Sequence, residues 1–365
     1  MSTRLTLACA LALAAVSSAA TAASPTSPDP ANGHLSVRGP QLVDSAGRPV
    51  ELRGWNWGRW GATQPQDGID NRQQGANVVR IPLRWWGYYE GDDIDSRDDN
   101  AKDTGGIKPA HLTILDDMVA KAASAGLRIV LFIDSDCGQN GTQTPKHIKY
   151  CDPQAHYPDG HNFWSDGDAR ARFMKAWRFV AQRYRNVPGL AMFEPLPEPN
   201  PARTSPADLT AFYDEVMRAI RPQAPGVPFL VGGRSYGAKA IDTAWNPLWK
   251  DVVYTGNLFL YTDDGNADAD SIANFRERMQ LILDVRRDHN VPVFVQQIGV
   301  RSSEDPTRRA LNVMLDSMAD HNLGYTYWEY RASYSSGEYG VNYRVGNGWQ
   351  VKADWLKDIS AHLQQ

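Results

Sequence analysis

Short apolar runs alternate with amphipathic segments along most of this chain. Such alternation is typical of a mostly parallel sheet whose strands are joined by helices. We identify eight apolar runs that can form strands, and in chain order they are ELRGWNW, ANVVRIPL, RIVLFID, LAMFEPL, FLVGGRS, NLFLY, VFVQQIG and GYTYWEY. The preceding segment, LSVRGPQLVDSAGRPV, predicts a β-hairpin. The pattern therefore predicts an α/β fold with an N-terminal β-hairpin.

Apolar residues recur at helical spacing between these runs. Three such helix faces are formed by Leu112, Leu115 and Val119, by Phe173, Trp177, Val180 and Tyr184, and by Phe275, Met279 and Ile282. Asp305 followed by Pro306 predicts the N-cap and first turn of a further helix. Eight strands with intervening helices fit a (β/α)8 TIM barrel, a fold that accommodates several hundred residues as one domain.

The N-terminus differs in composition from the rest of the chain. Arg4 precedes an apolar run from Leu5 to Val16 and a small-residue exit, which is the pattern of a secretory signal peptide over residues 1–23. Residues 24–34 are rich in Pro, Ser and Asp and predict a linker, which leaves residues 35–365 for the barrel. We therefore expect a secreted or periplasmic protein with no stable membrane insertion once the signal is removed.

Two cysteines remain after signal removal, Cys137 and Cys151. Export places them in an oxidising compartment, where an even pair is usually bridged, so we predict a disulfide bond between them. Closing a loop of about 15 residues stabilises a fold by roughly 3 kcal/mol on the chain-entropy estimate. Two unpaired thiols are the alternative interpretation.

Composition narrows the choice of partners. Charged residues make up 22% of the chain and the net charge is −4, which gives no electrostatic reason to expect a nucleic acid or an anionic membrane. The 12 Trp and 15 Tyr suit a cleft that stacks sugar rings, although many of them will be core side chains. The acids and histidines near Cys151 match no full calcium-loop pattern, so we predict no metal, with a bound cation as the alternative. We also expect no cofactor and a monomer.

Reacting groups of such barrels lie at the carboxyl ends of the strands. The candidates there, in chain order, are Trp55, Trp57, Arg80, Asp134, Asp136, Glu198, Tyr261, Asp263, Gln297, Trp328 and Glu329. Carboxylates and aromatic rings gathered on one rim predict a carbohydrate site.

Five segments carry a more specific resemblance. In chain order they are LVDSAGRPVELRGWNW, GANVVRIPLRW, GLAMFEPLPEPN, PVFVQQIGV and GYTYWEY, and they resemble glycoside hydrolase family 5, the cellulase-like (β/α)8 retaining glycosidases, over nearly the whole mature chain. The resemblance implies a β-glycan substrate, cleavage of O-glycosidic bonds, and Glu198 as the acid/base. It also implies sugar-binding roles for Arg80, Tyr261 and Trp328, and it places Gln297 at the nucleophile position.

The chain departs from the family pattern at several of these positions. Pro197 stands where the family has asparagine, Phe259 where it has histidine, and Gln297 where it has the nucleophilic glutamate; the strand-three histidines fall near Asp134. A retaining glycosidase needs two carboxyl groups about 5 Å apart, and an amide neither attacks the anomeric carbon nor carries negative charge. The family's double displacement is therefore expected to fail.

Three hypotheses remain open at this point. The chain hydrolyses glycans through a carboxylate from another strand, for which the candidates are Asp134, Asp136, Asp263 and Glu329. Alternatively it is a carbohydrate-binding pseudoenzyme that has lost catalysis, or it has a structural role.

Individual residues also have simpler explanations, since Arg80 could be the buried partner of a core carboxylate and Trp328 could be a core side chain. Glu194, four residues before Glu198, is expected to have an interior structural role.

Overall fold

The computed structural model describes residues 33–58, 63–85, 107, 109–135, 163–199, 204–233, 245–260, 269–332 and 338–364. The chain enters through an antiparallel hairpin of β1 (Ser36–Arg38) and β2 (Gln41–Val43), as predicted. The strands of the main sheet are β3 (Arg53–Asn56), β4 (Val78–Trp85), β5 (Arg128–Ser135), β6 (Leu190–Glu194), β7 (Phe229–Gly232), β8 (Val252–Thr255), β9 (Asn257–Phe259), β10 (Phe294–Gly299) and β11 (Gly324–Tyr327).

The main sheet closes into a barrel. Its strands are paired in parallel in the order β8-β7-β6-β5-β4-β3-β11-β10-β9. The two ends of this order, β8 and β9, are separated in the chain by one residue, and Tyr254 of β8 also bridges to Val293 just before β10. These two segments therefore act as one interrupted barrel strand, and the predicted (β/α)8 TIM barrel is confirmed.

Helices between the strands cover the outside of the barrel. They are α1 (Asp67–Gln73), α2 (Pro109–Ser124), α3 (Gly167–Tyr184), α4 (Pro206–Ile220), α5 (Ala269–His289) and α6 (Arg309–Asp320). The predicted start of α6 was wrong: residues 305–308 form a turn, and the helix begins at Arg309. Asp305 still serves this helix, because its Oδ2 accepts the backbone N–H of Leu311 at 3.0 Å.

The barrel interior is apolar at its amino-terminal end and polar above it. Leu52, Val78, Leu230 and Phe294, at the beginnings of their strands, form one buried cluster that Leu35 and Leu42 of the hairpin region complete. The hairpin therefore closes the barrel floor, which leaves the opposite mouth for a site. Among the residues that the structure describes, no helix is both long and apolar enough to cross a membrane.

A small sheet and a final helix follow the last barrel strand. The sheet contains β12 (Arg331–Ala332), β13 (Asn342–Val345) and β14 (Gly348–Val351), and α7 (Ala353–Leu363) ends the described chain. Arg331 donates two hydrogen bonds, of 2.7 and 2.5 Å, to the buried carboxylate of Asp67. This ion pair fastens the small sheet to the first helix of the barrel.

Candidate functional site

Strand β10 places two consecutive glutamines in the barrel interior. Its pairing with β11 shifts register between Val295 and Ile298, around Gln296 and Gln297. Such a bulge breaks the alternation of side chains along a strand and can re-aim a residue at a site. Gln296 is 3% exposed and Gln297 is 8% exposed, and both enter one polar network near the carboxyl end of the strand.

Gln297 links a cation to a carboxylate. Its amide is placed with the nitrogen toward Glu198 and the oxygen toward Arg80, because the opposite orientation would set oxygen against oxygen and nitrogen against nitrogen. Gln297 Nε2 then donates to Glu198 Oε1 at 2.9 Å, and its oxygen accepts from Arg80 Nη1 at 3.1 Å. Both ends of the amide are therefore fixed by hydrogen bonds.

Arg80 lies wholly inside the barrel. Its guanidinium donates to both carboxylate oxygens of Glu194, at 2.5 and 2.8 Å, and to Asn56 Oδ1 at 2.9 Å. Arg80 and Glu194 are both 0% exposed, which matches the alternative interpretation of Arg80 as the buried partner of a core carboxylate. The predicted contact between Arg80 and a glycan stays a prediction, and Arg80 reaches the site through Gln297.

Glu198 lies on a stiff segment after β6. Prolines stand at positions 195, 197 and 199, and Trp177 of α3 donates its indole N–H to the Pro195 carbonyl at 3.1 Å. Glu198 itself has a φ of +48°, in the left-handed region that residues other than glycine rarely occupy. Such conformations are typically held by their surroundings and are common at functional sites. Glu198 is partly exposed at the end of this segment, just beyond the carboxyl end of β6.

Sequence analysis missed a second amide partner of Glu198. Asn257, the first residue of β9, donates from Nδ2 to Glu198 Oε1, and its Oδ1 accepts from Gln296 Nε2 at 2.8 Å. In β-sheet register Asn257 lies opposite Gln297. A polar residue in the otherwise apolar run NLFLY was the signal that could have indicated it.

The aromatic candidates separate into one rim residue and two core residues. Trp328 is partly exposed after β11, as a stacking platform requires. Trp55 is 0% and Trp57 2% exposed, which is typical of core side chains, and their predicted contact with a glycan stays a prediction. Trp55 packs edge-on against Tyr327, and Trp57 donates its indole N–H to Asn71 at 2.8 Å. Both rings belong to the buried apolar core that strands and helices share.

Glu329 is also enclosed. Its side chain is 0% exposed, and it lies so close to Gly58 that a Cβ at that glycine would fall 1.7 Å from Glu329 Oε2. Gly58 has a φ of +47°, which favours glycine for a second reason. In this conformation Glu329 cannot reach a glycan, which disfavours it as a water-activating base.

Several predicted residues lie outside the described part of the chain. They are Tyr261, Asp136, Asp263, Cys137 and Cys151, together with the side chain of Asp134. The backbone of position 134 is described: it lies near the end of β5, paired with position 84 of β4. The predicted disulfide and the predicted tyrosine contact therefore stay predictions. Among the described residues no cluster of His, Cys, Asp or Glu could hold a metal ion.

A separate cavity of about 740 Å³ lies at the amino-terminal mouth of the barrel. Its arginines already serve the scaffold: Arg53 pairs with Glu51 at 3.0 Å and donates to the His362 carbonyl at 3.4 Å, near the end of α7. Arg286 likewise donates to the His321 carbonyl, at the end of α6, at 3.1 Å. Cations beside helix carboxyl ends stabilise the helices, so we assign this cavity to the closure of the barrel floor.

Comparison with known proteins agrees with this architecture. The family model described as Cellulase (glycosyl hydrolase family 5) matches residues 43–333. A β-xylosidase of Phanerodontia chrysosporium is 29% identical over 165 residues, which are 45% of this chain and 30% of that protein. The chain spans less than half the length of the curated relatives it matches.

Two solved structures show the same fold at low identity. Thermotoga maritima Cel5A, in complex with a mannotriose substrate, has a TM-score of 0.64 and 17% identity, covering 85% of this chain and 97% of that chain. The catalytic domain of Thermobifida fusca endoglucanase Cel5A, solved as a glutamate-to-glutamine variant with cellotetraose, has a TM-score of 0.58 and 18% identity, covering 91% and 97%.

Proposed function

This chain belongs to the cellulase family, glycosyl hydrolase family 5, and on that premise we propose that it binds a β-linked glycan at the carboxyl mouth of its barrel. The observation that carries the proposal is the contact between Glu198 and Gln297, which brings the family's acid/base position and its nucleophile position together at 2.9 Å. In this proposal Glu198 faces the glycosidic oxygen and Trp328 stacks on a sugar ring; the support is that both residues are partly exposed.

Gln297 determines what the site can do with a bound glycan. In a retaining glycosidase a carboxylate attacks the anomeric carbon and a second carboxyl group protonates the leaving oxygen. An amide is neutral at every physiological pH and forms no glycosyl–enzyme bond. We therefore propose glycan recognition without the family's double displacement. The Thermobifida fusca structure supports the recognition part of this proposal, since a barrel of the same fold that carries a glutamate-to-glutamine substitution was solved in complex with cellotetraose.

Hydrolysis by a different carboxylate is the second candidate function. An inverting mechanism needs a base that activates water at a carboxyl separation of roughly 6.5–9.5 Å from the acid. The location of position 134 favours this candidate. It lies near the carboxyl end of β5, and β5 pairs with β6, the strand that Glu198 follows. Glu329 is 0% exposed, which makes it a weaker candidate base than position 134.

We also propose that the protein is exported. The support is the pattern of residues 1–23, a basic lead, an apolar run and a small-residue exit, followed by a polar linker. A secreted or periplasmic location suits a protein that meets polysaccharides, and the net charge of −4 gives no electrostatic reason to expect a nucleic acid or an anionic membrane as a partner.

A paired binding and hydrolysis experiment tests the function. Calorimetric titration of the mature chain with cello-, manno- and xylo-oligosaccharides is expected to show binding of at least one series, with no product after prolonged incubation. Glu198→Gln is the control, because it keeps the shape of the site and should keep the binding. Turnover of any of these glycans at about 1 per second or more, the range of ordinary enzymes, would establish the second candidate instead.

A further inference from the structure

Glu198 is held by two amides that donate to the same oxygen. Gln297 Nε2 and Asn257 Nδ2 both reach Glu198 Oε1, from two neighbouring strands, β10 and β9. N–H donors favour the ionised form of a carboxylate, and two of them also restrict its rotamer. The contact with Gln297 belongs to the family position already discussed, whereas the contact with Asn257 has no assigned role.

The direction of the Asn257 amide is itself determined by a neighbour. An asparagine amide can present either its oxygen or its nitrogen to a partner. Here Gln296 Nε2 donates to Asn257 Oδ1 at 2.8 Å, so the Asn257 nitrogen must point the other way, toward Glu198. If the Gln296 donor were lost, Asn257 could rotate and turn an acceptor toward a carboxylate.

Gln296 is in turn fixed by its backbone. Its N–H donates to Thr255 Oγ1 at 3.1 Å, and its carbonyl accepts from Asn56 Nδ2 at 3.0 Å. Thr255, Asn56 and Asn257 are each less than 4% exposed, so water does not compete for these bonds. The orientation is therefore built into the barrel wall before any ligand arrives.

We propose that Asn257, oriented by Gln296, is a positioning residue that fixes the Glu198 carboxylate and favours its ionised form. The value of this positioning for glycan recognition rests on the proposed function. The ionisation state of the Glu198 carboxylate can be measured independently of that function. Among the side chains that the structure describes, Arg80 of β4 and Glu194 of β6 are charged groups beside this network, and they neutralise each other as a bidentate pair.

A purely structural role for Asn257 is the competing explanation. In that case the residue fills its place in β9, and its replacement lowers stability without changing how Glu198 titrates. The two explanations are separated by a spectroscopic readout of Glu198 rather than by activity.

The experiment is a pH titration of the mature protein labelled with ¹³C at the glutamate carboxyl carbon, followed by NMR. The Glu198 signal is assigned by its disappearance in Glu198→Gln. Asn257→Leu removes the donor, and Gln296→Met removes the group that orients it. Asn246→Leu is the matched control, since Asn246 donates to the carboxylate of Asp214 at 3.3 Å, outside the site.

The titration midpoint of Glu198 is expected to move to higher pH in Asn257→Leu, to move less in the same direction in Gln296→Met, and to stay unchanged in Asn246→Leu. A folded Asn257→Leu or Gln296→Met protein with the parent's midpoint would overturn the proposal; the second variant provides the test if the first does not fold. Oligosaccharide titration of the parent is run in parallel. If the Glu198 midpoint shifts in Asn257→Leu while the parent binds no glycan, the proposed function is refuted and this inference stands.

Discussion

Gln297 lies in β10 and Glu198 follows β6, two strands that are not neighbours in the sheet, yet Gln297 Nε2 lies 2.9 Å from Glu198 Oε1. This separation suits an amide and a carboxylate. Two carboxylates at the same distance could not both be ionised, and a retaining pair works at about 5 Å. The geometry therefore fits the residues that this chain has.

Gln297→Glu is expected to produce weak hydrolysis of an aryl β-glycoside, below about 1 per second. Arg80 Nη1 already faces the oxygen of residue 297 and would favour a carboxylate there, but the new group would crowd Glu198, and Pro197 offers no side-chain amide to a sugar hydroxyl. Initial-rate assays of the variant and of Gln297→Leu check this. Rates typical of glycosidases in the first variant, with an inactive parent, would show that Gln297 alone silences the site.

Trp328→Ala is expected to weaken oligosaccharide binding by on the order of 1 kcal/mol, about fivefold in Kd, because a partly exposed stacking ring is lost. Trp328→Phe should retain most of the affinity. The contrast is Trp55→Ala, which removes a 0% exposed ring and should destabilise the fold by roughly 3–5 kcal/mol. Equal affinity of Trp328→Ala and the parent would argue that the ring does not touch the glycan.

Glu194→Gln is expected to reduce the free energy of unfolding by roughly 3–5 kcal/mol, because it leaves the buried Arg80 guanidinium without its charge partner. Asp116→Asn is the matched control. Asp116 forms a similar two-point pair with Arg183, but on the surface, where such pairs contribute about 1 kcal/mol or less. Urea unfolding followed by circular dichroism measures both, and similar losses in the two variants would contradict the prediction.

The free energy of unfolding is expected to rise with pH because of Lys352. Burial lowers the pKa of Lys352 from 10.5 to about 8 in the folded protein. Between these values the unfolded chain binds a proton that the folded chain lacks, so raising the pH through this window favours folding. Unfolding free energies at pH 8 and pH 9.5 should therefore increase more in the parent than in Lys352→Met. An equal increase of the unfolding free energy in the parent and in Lys352→Met would contradict this prediction.

The barrel itself was predictable because its strands are buried on both sides. Runs such as RIVLFID and LAMFEPL are almost continuously apolar, and the helices between them keep a clear period. The hairpin was equally visible. The start of α6 was not, because the turn at residues 305–308 moves the Asp305 side chain's hydrogen bond to Leu311 inside the helix.

The site was predictable only in part, since its members meet through the closure of the sheet. Resemblance singled out Glu198 and Gln297, but no spacing along the chain brings Asn257 to Glu198. The role of Gln296 depends on a bulge created by pairing with β11, which a single strand does not encode. Trp55 and Trp57 looked like rim residues because strand ends are rich in aromatics, and only the packing shows that both turn inward.

The bidentate pair of Arg80 and Glu194 also bears on how such a chain can evolve. Because Glu194 already neutralises the guanidinium, exchanging a carboxylate for an amide at position 297 leaves no buried cation without a counterion. The exchange changes one side chain, and the amide finds hydrogen-bond partners at both ends. A barrel of this kind can thus exchange the residue at position 297 without a penalty of buried charge, so the fold tolerates either side chain while the rest of the site determines how much catalysis each one supports.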